Sequence, residues 1–304
     1  MRKIIYPLFF ACITSILAPS IFYGKEKLGL LIIAHGSPMP AWNAPVLALE
    51  DEVLMVLNEK GDNPFTAVRV ALMEFNEPSI NTIIEEMEKS GLDRVYALPL
   101  LIAPSGHSLF DVPTILGLYY ESEIVREIKE EGTTIADTKI KITLGPTLDS
   151  GDVLKEIMLD RVKKLSASPE TEGVVLLAHG DHYFKPVWDV ICGEIGSYIC
   201  AKTGIEHYDY AYAEIGQTFI AEAVPMILRM AEKCDRTIVV GLYLSMGVDR
   251  MANNSILSIG RMKMESKEIL EGYTIVFADK GLLPDQRISQ WIAEKGLKWA
   301  AELP

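Results

Sequence analysis

Cysteine and clustered positive charge are both scarce in this chain of 304 residues. It has 4 cysteines, no CxxC pair, and 29 Lys and Arg against 42 Asp and Glu, which leaves a formal net charge of −13. Because nucleic-acid binding needs clustered Lys and Arg to contact phosphates, the sequence argues against a nucleic-acid partner. An anionic small molecule would have to rely on local hydrogen-bond donors instead.

Apolar runs long enough to cross a membrane are absent after the first 24 residues. At the N-terminus, Arg2 and Lys3 precede an apolar stretch over residues 4–17, and the small residues Ala18-Pro19-Ser20 follow. A basic start, an apolar centre and small residues are typical of a secretory signal. We therefore expect residues 1–24 to be a signal peptide or an N-terminal anchor, with the protein exported to the periplasm or held at a membrane. If this interpretation is wrong, the expected location is the cytoplasm.

Three cysteines follow this segment, namely Cys192, Cys200 and Cys234. Their number is odd and their spacing does not indicate a metal site. In an exported protein Cys192 and Cys200 are the candidate disulfide pair, although a helix between them would need a favourable geometry. Free, buried cysteines are the alternative that the sequence leaves open.

Short apolar runs alternate with helical patterns along the first half of the chain. Strands are predicted at residues 28–34, 67–73, 95–102 and 139–144, and helices at 45–58, from Pro78 to Gly91, and at 114–131. The continuous apolar run at 28–34 is typical of a parallel strand that is buried on both faces. This order of elements, with short connections, predicts a mostly parallel sheet covered by helices on both faces.

The second half of the chain repeats this plan. GVVLLAHG corresponds to LLIIAHG, and the paired markers, 140 to 144 residues apart, are His35 and His179, Glu74 and Glu214, and Asp93-Arg94 and Asp235-Arg236. We therefore predict an α/β protein of two similar lobes, residues 25–146 and 147–304, that join within residues 145–151.

Three side chains that can bind a metal follow predicted strands of the first lobe. His35 follows the first strand, Glu74 the second, and His107 lies in the loop after the third. Parallel strands end at one edge of their sheet, where ligands bind in open α/β folds, so these side chains should converge. Two imidazoles and one carboxylate suit Co, Ni, Fe or Zn rather than Ca or Mg, and open coordination positions would accept a substrate. We predict that His35, Glu74 and His107 are both the metal ligands and the catalytic residues.

The second lobe repeats this set incompletely. His179 and Glu214 match two of its members, but Val248 stands where the first lobe has His107. We therefore expect the second lobe to form a wall or to be vestigial. A second metal site that combines His179, His182 and Glu214 is the alternative.

Three segments of the first lobe resemble one protein family. AHGSP, ALMEFNEPSI and LPLLIAPSGHSLFDVP are similar to the class II chelatases, specifically the sirohydrochlorin cobaltochelatases, and the resemblance covers roughly residues 28–280. It implies a chelatase-like fold and insertion of Co²⁺, with Fe²⁺ or Ni²⁺ as alternatives, into the tetrapyrrole sirohydrochlorin. The divalent metal is then a substrate, and neither ATP nor an organic cofactor is expected. His35 and His107 would match the metal-binding histidines of the family, and Glu74 the acidic residue near them.

The predicted chemistry fits these residue types. Metallation removes two pyrrole N–H protons while the ion passes to the ring nitrogens. A neutral imidazole can hold the ion or accept a proton, and a carboxylate partner keeps its tautomer suitable. The carboxylates of sirohydrochlorin would need donors, for which Ser37, Ser105, Ser108 and loop N–H groups are the candidates.

Two other functions stay open on the sequence. A biosynthetic chelatase is expected in the cytoplasm, so the predicted export points to an exported metal- or tetrapyrrole-binding protein as one alternative. Such a protein would saturate at one equivalent, whereas a chelatase turns over. A hydrolase or phosphatase with His35 as nucleophile is the other; it predicts an Arg beside that histidine, where the sequence has HGSP. A homo-oligomer is compatible with every one of these functions.

Overall fold

The computed structural model describes residues 26–61, 63–74, 76–214, 216–259 and 262–304. The predicted signal peptide or anchor, residues 1–24, lies outside these ranges. Within them, none of the helices combines the length and the apolar character that crossing a membrane requires.

The first half of the chain folds into a sheet of four parallel strands with helices between them. The strands are β1 (Leu28–Ala34), β2 (Phe65–Leu72), β3 (Arg94–Pro99) and β4 (Lys141–Leu144). The helices are α1 (Pro40–Leu47), α2 (Leu49–Glu59), α3 (Ile80–Lys89), α4 (Val112–Ile115) and α5 (Ser122–Glu130). A π-helical turn over His107–Asp111 leads directly into α4. The strand order is β2-β1-β3-β4.

The second half forms a second parallel sheet of the same kind. Its helices are α6 (Val153–Leu165), α7 (Lys185–Thr203), α8 (Val224–Lys233), α9 (Val248–Asn254), α10 (Ser266–Ile269) and α11 (Gln286–Ala301). Its strands are β5 (Glu172–Ala178), β6 (His207–Tyr212), β7 (Arg236–Leu242) and β10 (Ile275–Phe277), in the order β6-β5-β7-β10, and an antiparallel hairpin joins β8 (Ile256–Ile259) to β9 (Met262–Glu265). The two sheets share one strand order, so the predicted α/β fold of two similar lobes is confirmed.

Burial explains the apolar runs that the sequence shows. β1 and β5 are inner strands of their sheets, and every residue of both is buried. A strand covered by helices on both faces needs apolar side chains at successive positions, since each pleat face meets a packed layer. The two strands that carry His35 and His179 at their ends therefore lie in the interior of each lobe.

The two lobes share a hydrophobic core through the last helix. One buried cluster runs from the first sheet to the second, and Trp299 of α11 stacks on Tyr96 and Phe65, with ring centroids 5.1 and 6.3 Å apart. These two aromatic residues belong to β3 and β2 of the first sheet. The predicted division at residue 146 assigns α11 to the second lobe by its place in the chain. This helix nevertheless packs against the first sheet through Trp299.

Two helices predicted as continuous are interrupted. The segment predicted as a helix at 45–58 is divided between α1 and α2 at Ala48. The helix predicted over 114–131 ends at Ile115 and resumes at Ser122 as α5. Gly117 adopts a φ of 72°, a left-handed conformation that ends a helix readily at glycine, so the acidic helix is shorter than predicted.

The cysteines of the described part are free. Cys192 and Cys200 both lie on α7, and eight helical residues separate them by about 12 Å along the axis. A disulfide requires Cα atoms closer than about 7 Å. The pairing of Cys192 with Cys200 is therefore wrong. The alternative of free, buried cysteines is confirmed for Cys192, whereas Cys200 and Cys234 are free but only partly buried.

Candidate metal centre

The ends of β1 and β2 bring His35 and Glu74 together. The backbone N–H of Glu74 donates to the carbonyl of His35 at 2.9 Å, which continues the strand pairing past both strands. Gly36 lies between them with a φ of 91°, and a Cβ there would stand 2.3 Å from the backbone oxygen of Glu74. Glycine is needed at this position because any larger residue would separate the two strand ends. His35 Nε2 is 3.9 Å from Glu74 Oε2.

His107 joins this pair from the loop after β3. It is the first residue of the π-helical turn, a distortion that is frequent at functional sites. Its ring lies edge-on to that of His35, with centroids 4.9 Å apart and an interplanar angle of 72°. On its other side, His107 Nδ1 is 2.6 Å from Asp111 Oδ2.

One ligand atom from each of His35, Glu74 and His107 lies within 4.8 Å of the other two. Their side chains are 35%, 21% and 42% exposed. Among the residues that the structure describes, this is the one such group of three His, Cys, Asp or Glu side chains. The structure thus brings together the three residues singled out from the sequence, and their role as metal ligands and catalytic residues stays a prediction.

Hydrogen bonds orient both imidazoles. His35 Nδ1 is 3.0 Å from the carbonyl oxygen of Gly36, and because a carbonyl only accepts, Nδ1 donates and Nε2 keeps its lone pair. The Asp111 carboxylate has the same effect on His107. A histidine whose second nitrogen donates to a carboxylate or carbonyl is the usual arrangement for a metal ligand.

Negative charge surrounds His107. The hydrogen bond to Asp111 raises the pKa of the His107 imidazole, and the charges of Asp111, Glu74 and Glu131 act in the same direction, against the effect of burial. No role of Asp111 or Glu131 was predicted from the sequence. The four-residue spacing between His107 and Asp111 could have indicated that these two side chains meet. The approach of Glu131 to His107 depends on where α5 ends, which the sequence does not indicate.

The candidate serines mainly shape the loops. Ser108 is 3% exposed, and its hydroxyl accepts from Ser105 N at 2.8 Å and donates to Ser105 O at 3.1 Å. The structure therefore does not support its predicted contact with a substrate. Ser37 Oγ accepts from Met39 N at 3.2 Å. Ser37 and Ser105 are half-buried, and their predicted contacts with substrate carboxylates stay predictions.

The second lobe keeps part of the same arrangement. His179 Nδ1 is 3.0 Å from Gly180 O, and His179 Nε2 is 2.9 Å from Glu214 Oε1. The two side chains are 60% and 57% exposed, so they meet solvent more than their first-lobe counterparts. Val248, in the place of the third ligand, is fully buried. Within the described residues His182 contacts the ring of Tyr183 and forms no group of three ligands with His179.

Comparison with known sequences concerns the first lobe and α6, the helix that follows it. Residues 29–165 match the model of the family CbiX. The sirohydrochlorin cobaltochelatase of Saccharolobus solfataricus is 26% identical over 137 residues, which are 45% of this chain and 94% of that protein. That of Methanococcus maripaludis is 33% identical over 90 residues, which are 30% of this chain and 58% of that protein.

Comparison with solved structures concerns both lobes. SirB from Bacillus subtilis with Fe³⁺ has a TM-score of 0.62 at 17% identity, over 90% of this chain and 96% of that chain. CbiX, described as the terminal enzyme of sirohaem biosynthesis in denitrifying bacteria, has a TM-score of 0.50 at 15% identity, over 91% and 100% of the two chains. At these identities the likeness shows the fold. The predicted resemblance is thereby confirmed: residues 29–165 match the CbiX family in sequence, and the chain as a whole has the fold of the class II chelatases.

Proposed function

We propose that this protein is a metal chelatase that inserts a divalent ion into sirohydrochlorin, with the first lobe as the active lobe. The convergence of His35, Glu74 and His107, with ligand atoms within 4.8 Å of one another, carries this proposal. The names of the relatives support it, since the proteins similar to the first lobe are sirohydrochlorin cobaltochelatases. The metal is a substrate of the reaction, and no organic cofactor is proposed.

The three side chains would hold the ion through Nε2 of each imidazole and a carboxylate oxygen of Glu74. Three protein ligands leave coordination positions open, which a catalytic site requires and which the ring nitrogens of the tetrapyrrole would fill. Because the three side chains are only partly buried, a large planar substrate can approach them from the sheet edge. An ion held by three ligands is also easier to transfer than one enclosed by four.

Two protons must leave the pyrrole nitrogens as one divalent ion enters, so the reaction needs acceptors beside the metal. Once the ion passes to the ring, His107 Nε2 and the Glu74 carboxylate are free to take these protons. The hydrogen bond to Asp111 raises the pKa of His107, which makes its imidazole a stronger base than an ordinary histidine. The same carboxylate stabilises the imidazolium that forms.

Cobalt is the ion we propose, on the support of the relatives named cobaltochelatases. The donor set of two nitrogens and one oxygen suits Fe²⁺ and Ni²⁺ as well.

We also propose that residues 1–24 direct the protein to the periplasm or anchor it, which rests on their basic, apolar and small-residue order. Cell fractionation of the full chain beside a chain that starts at residue 25 tests this, and equal distribution of the two would contradict it.

An anaerobic spectroscopic assay with sirohydrochlorin and Co²⁺ tests the proposed reaction. The wild type should metallate many equivalents, His107→Ala should lose turnover, and His179→Ala should keep it. A spectral change that saturates at one equivalent would show a binding protein instead. Turnover that persists in His107→Ala but disappears in His179→Ala would place the reaction in the second lobe.

A further inference from the structure

The loop that carries His107 is held by the second lobe. The backbone N–H of Gly106 donates to Asp181 Oδ2 at 3.1 Å, and Trp188 Nε1 donates to the carbonyl of Pro104 at 3.1 Å. Gly106 immediately precedes His107, and Pro104 lies three residues before it. Their partners Asp181 and Trp188 lie 75 and 84 positions further along the chain. The position of His107 therefore depends on contacts between the lobes.

The two second-lobe residues are themselves fixed. Asp181 Oδ1 accepts from the backbone N–H groups of Tyr183 and Phe184 at 2.8 and 3.1 Å, so its carboxylate connects the start of α7 to the His107 loop. Trp188 is 3% exposed and packs edge-on against Tyr212 of β6. These contacts fix the start of α7 in place, so that it can support the His107 loop.

The other two metal-site residues are positioned differently. Glu74 N donates to His35 O, so these residues keep their spacing through the pairing of β1 and β2 within the first lobe. His107, in contrast, lies beyond the end of β3, eight residues after Pro99. Its distance from the other two ligands is therefore set by loop contacts.

We propose that Asp181 and Trp188 are positioning residues for His107, so that the second lobe, which has no third ligand of its own, completes the metal centre of the first. This inference rests on the metal centre of the proposed function. It gives the second lobe a role that does not require His179 or Glu214 to bind metal.

Titration of the full chain with Co²⁺, followed by ligand-field absorption without any tetrapyrrole, tests this role. Asp181→Ala and Trp188→Phe should each weaken Co²⁺ binding by about tenfold, the lower end of the loss seen when partners beyond the ligands are removed. Asp181→Asn keeps one acceptor oxygen and should recover part of the affinity. Trp291→Phe is the matched control, because Trp291 Nε1 donates to the carbonyl of Ser150 at 2.9 Å, away from the His107 loop; its affinity should equal that of the wild type.

A double-mutant cycle separates positioning from general destabilisation. In a His107→Ala background, Asp181→Ala and Trp188→Phe should cause no further loss of Co²⁺ affinity, since both act through His107. An equal loss in both backgrounds, or wild-type affinity in Asp181→Ala and Trp188→Phe, would overturn the positioning role. Wild-type protein that binds no Co²⁺ would remove the metal centre itself, whereas Co²⁺ binding without chelatase turnover would refute the proposed function alone.

Discussion

Replacement of Asp111 by Asn probes how the metal centre works. The Asp111 carboxylate lies 2.6 Å from His107 Nδ1 and is the largest cause of the raised pKa of His107. An amide in its place can donate to Nδ1 and favour the tautomer with a hydrogen on Nε2. Nε2 then has no free lone pair with which to bind the metal. Loss of a carboxylate partner of a ligating histidine typically lowers metal affinity by about 10- to 100-fold. We expect Asp111→Asn to weaken Co²⁺ binding by a factor in this range at pH 8.

The same substitution should move the pH dependence of binding. Protons compete with the metal for His107, so Co²⁺ affinity rises as pH increases through the pKa of the imidazole. The folded-state pKa of His107 is raised. The ion pair with Asp111 therefore stabilises the apoprotein fully at a pH below the ordinary pKa of histidine, and this stabilisation is lost as the pH rises through the raised pKa of His107. Asp111→Asn removes the main cause, and the midpoint should therefore move to lower pH.

NMR titration of the His107 ring and a Co²⁺ titration at several pH values measure both effects. Glu131→Gln is the matched control, because Glu131 acts on His107 by charge alone, and it should lower the pKa less and leave the tautomer unchanged. An Asp111→Asn variant with wild-type Co²⁺ affinity and an unchanged His107 pKa would refute the reasoning.

Two further substitutions and one labelling reaction test how the chain is packed. Gly36→Ala should lower the free energy of unfolding by about 3 kcal/mol, and the control Gly61→Ala by about 1 to 2 kcal/mol. Both glycines have a positive φ, 91° and 87°, but only at position 36 would a Cβ lie 2.3 Å from a backbone oxygen. Equal losses of the two variants in urea unfolding would contradict this. Burial raises the pKa of the Cys192 thiol to about 12, so a maleimide at pH 8 should label the partly exposed Cys200 before the buried Cys192, and equal labelling rates by mass spectrometry would show that Cys192 is accessible. Trp299→Ala removes a stacked, 8% exposed ring and should cost about 3–5 kcal/mol in the same urea assay; a cost below about 1 kcal/mol would show that α11 is not needed to join the lobes.

The strands and the convergence of the metal-site residues could be predicted because they follow from local periodicity and one rule of sheet geometry. β1 and β5 are continuous apolar runs, and parallel strands end at one edge, so His35 and Glu74 could be placed beside each other. Both features need no knowledge of distant contacts.

The supports of the metal centre could not be predicted in the same way. The bond from Gly106 to Asp181 joins two loops 75 residues apart, and no periodic pattern connects them. Ser108 looked like a substrate donor because its hydroxyl is polar and lies beside His107, but the turn that it closes with Ser105 buries it. The end of the predicted helix at Gly117 was also missed, although a glycine inside a helical pattern is a recognisable stop signal.

The return of α11 to the first sheet limits how the two lobes can move. Arg287, near the start of this helix, forms an ion pair with Asp160 of α6 at 2.8 Å, while Trp299 near its end stacks on Tyr96 of β3. A hinge that opened the lobes would have to pull an aromatic ring out of a buried stack, and hinge motions normally occur at a few residues in unpacked connections. We therefore expect the two lobes to keep their relative position when a ligand binds. A substrate of the proposed reaction would then enter and leave at the open sheet edge where His35, Glu74 and His107 lie, without a domain movement.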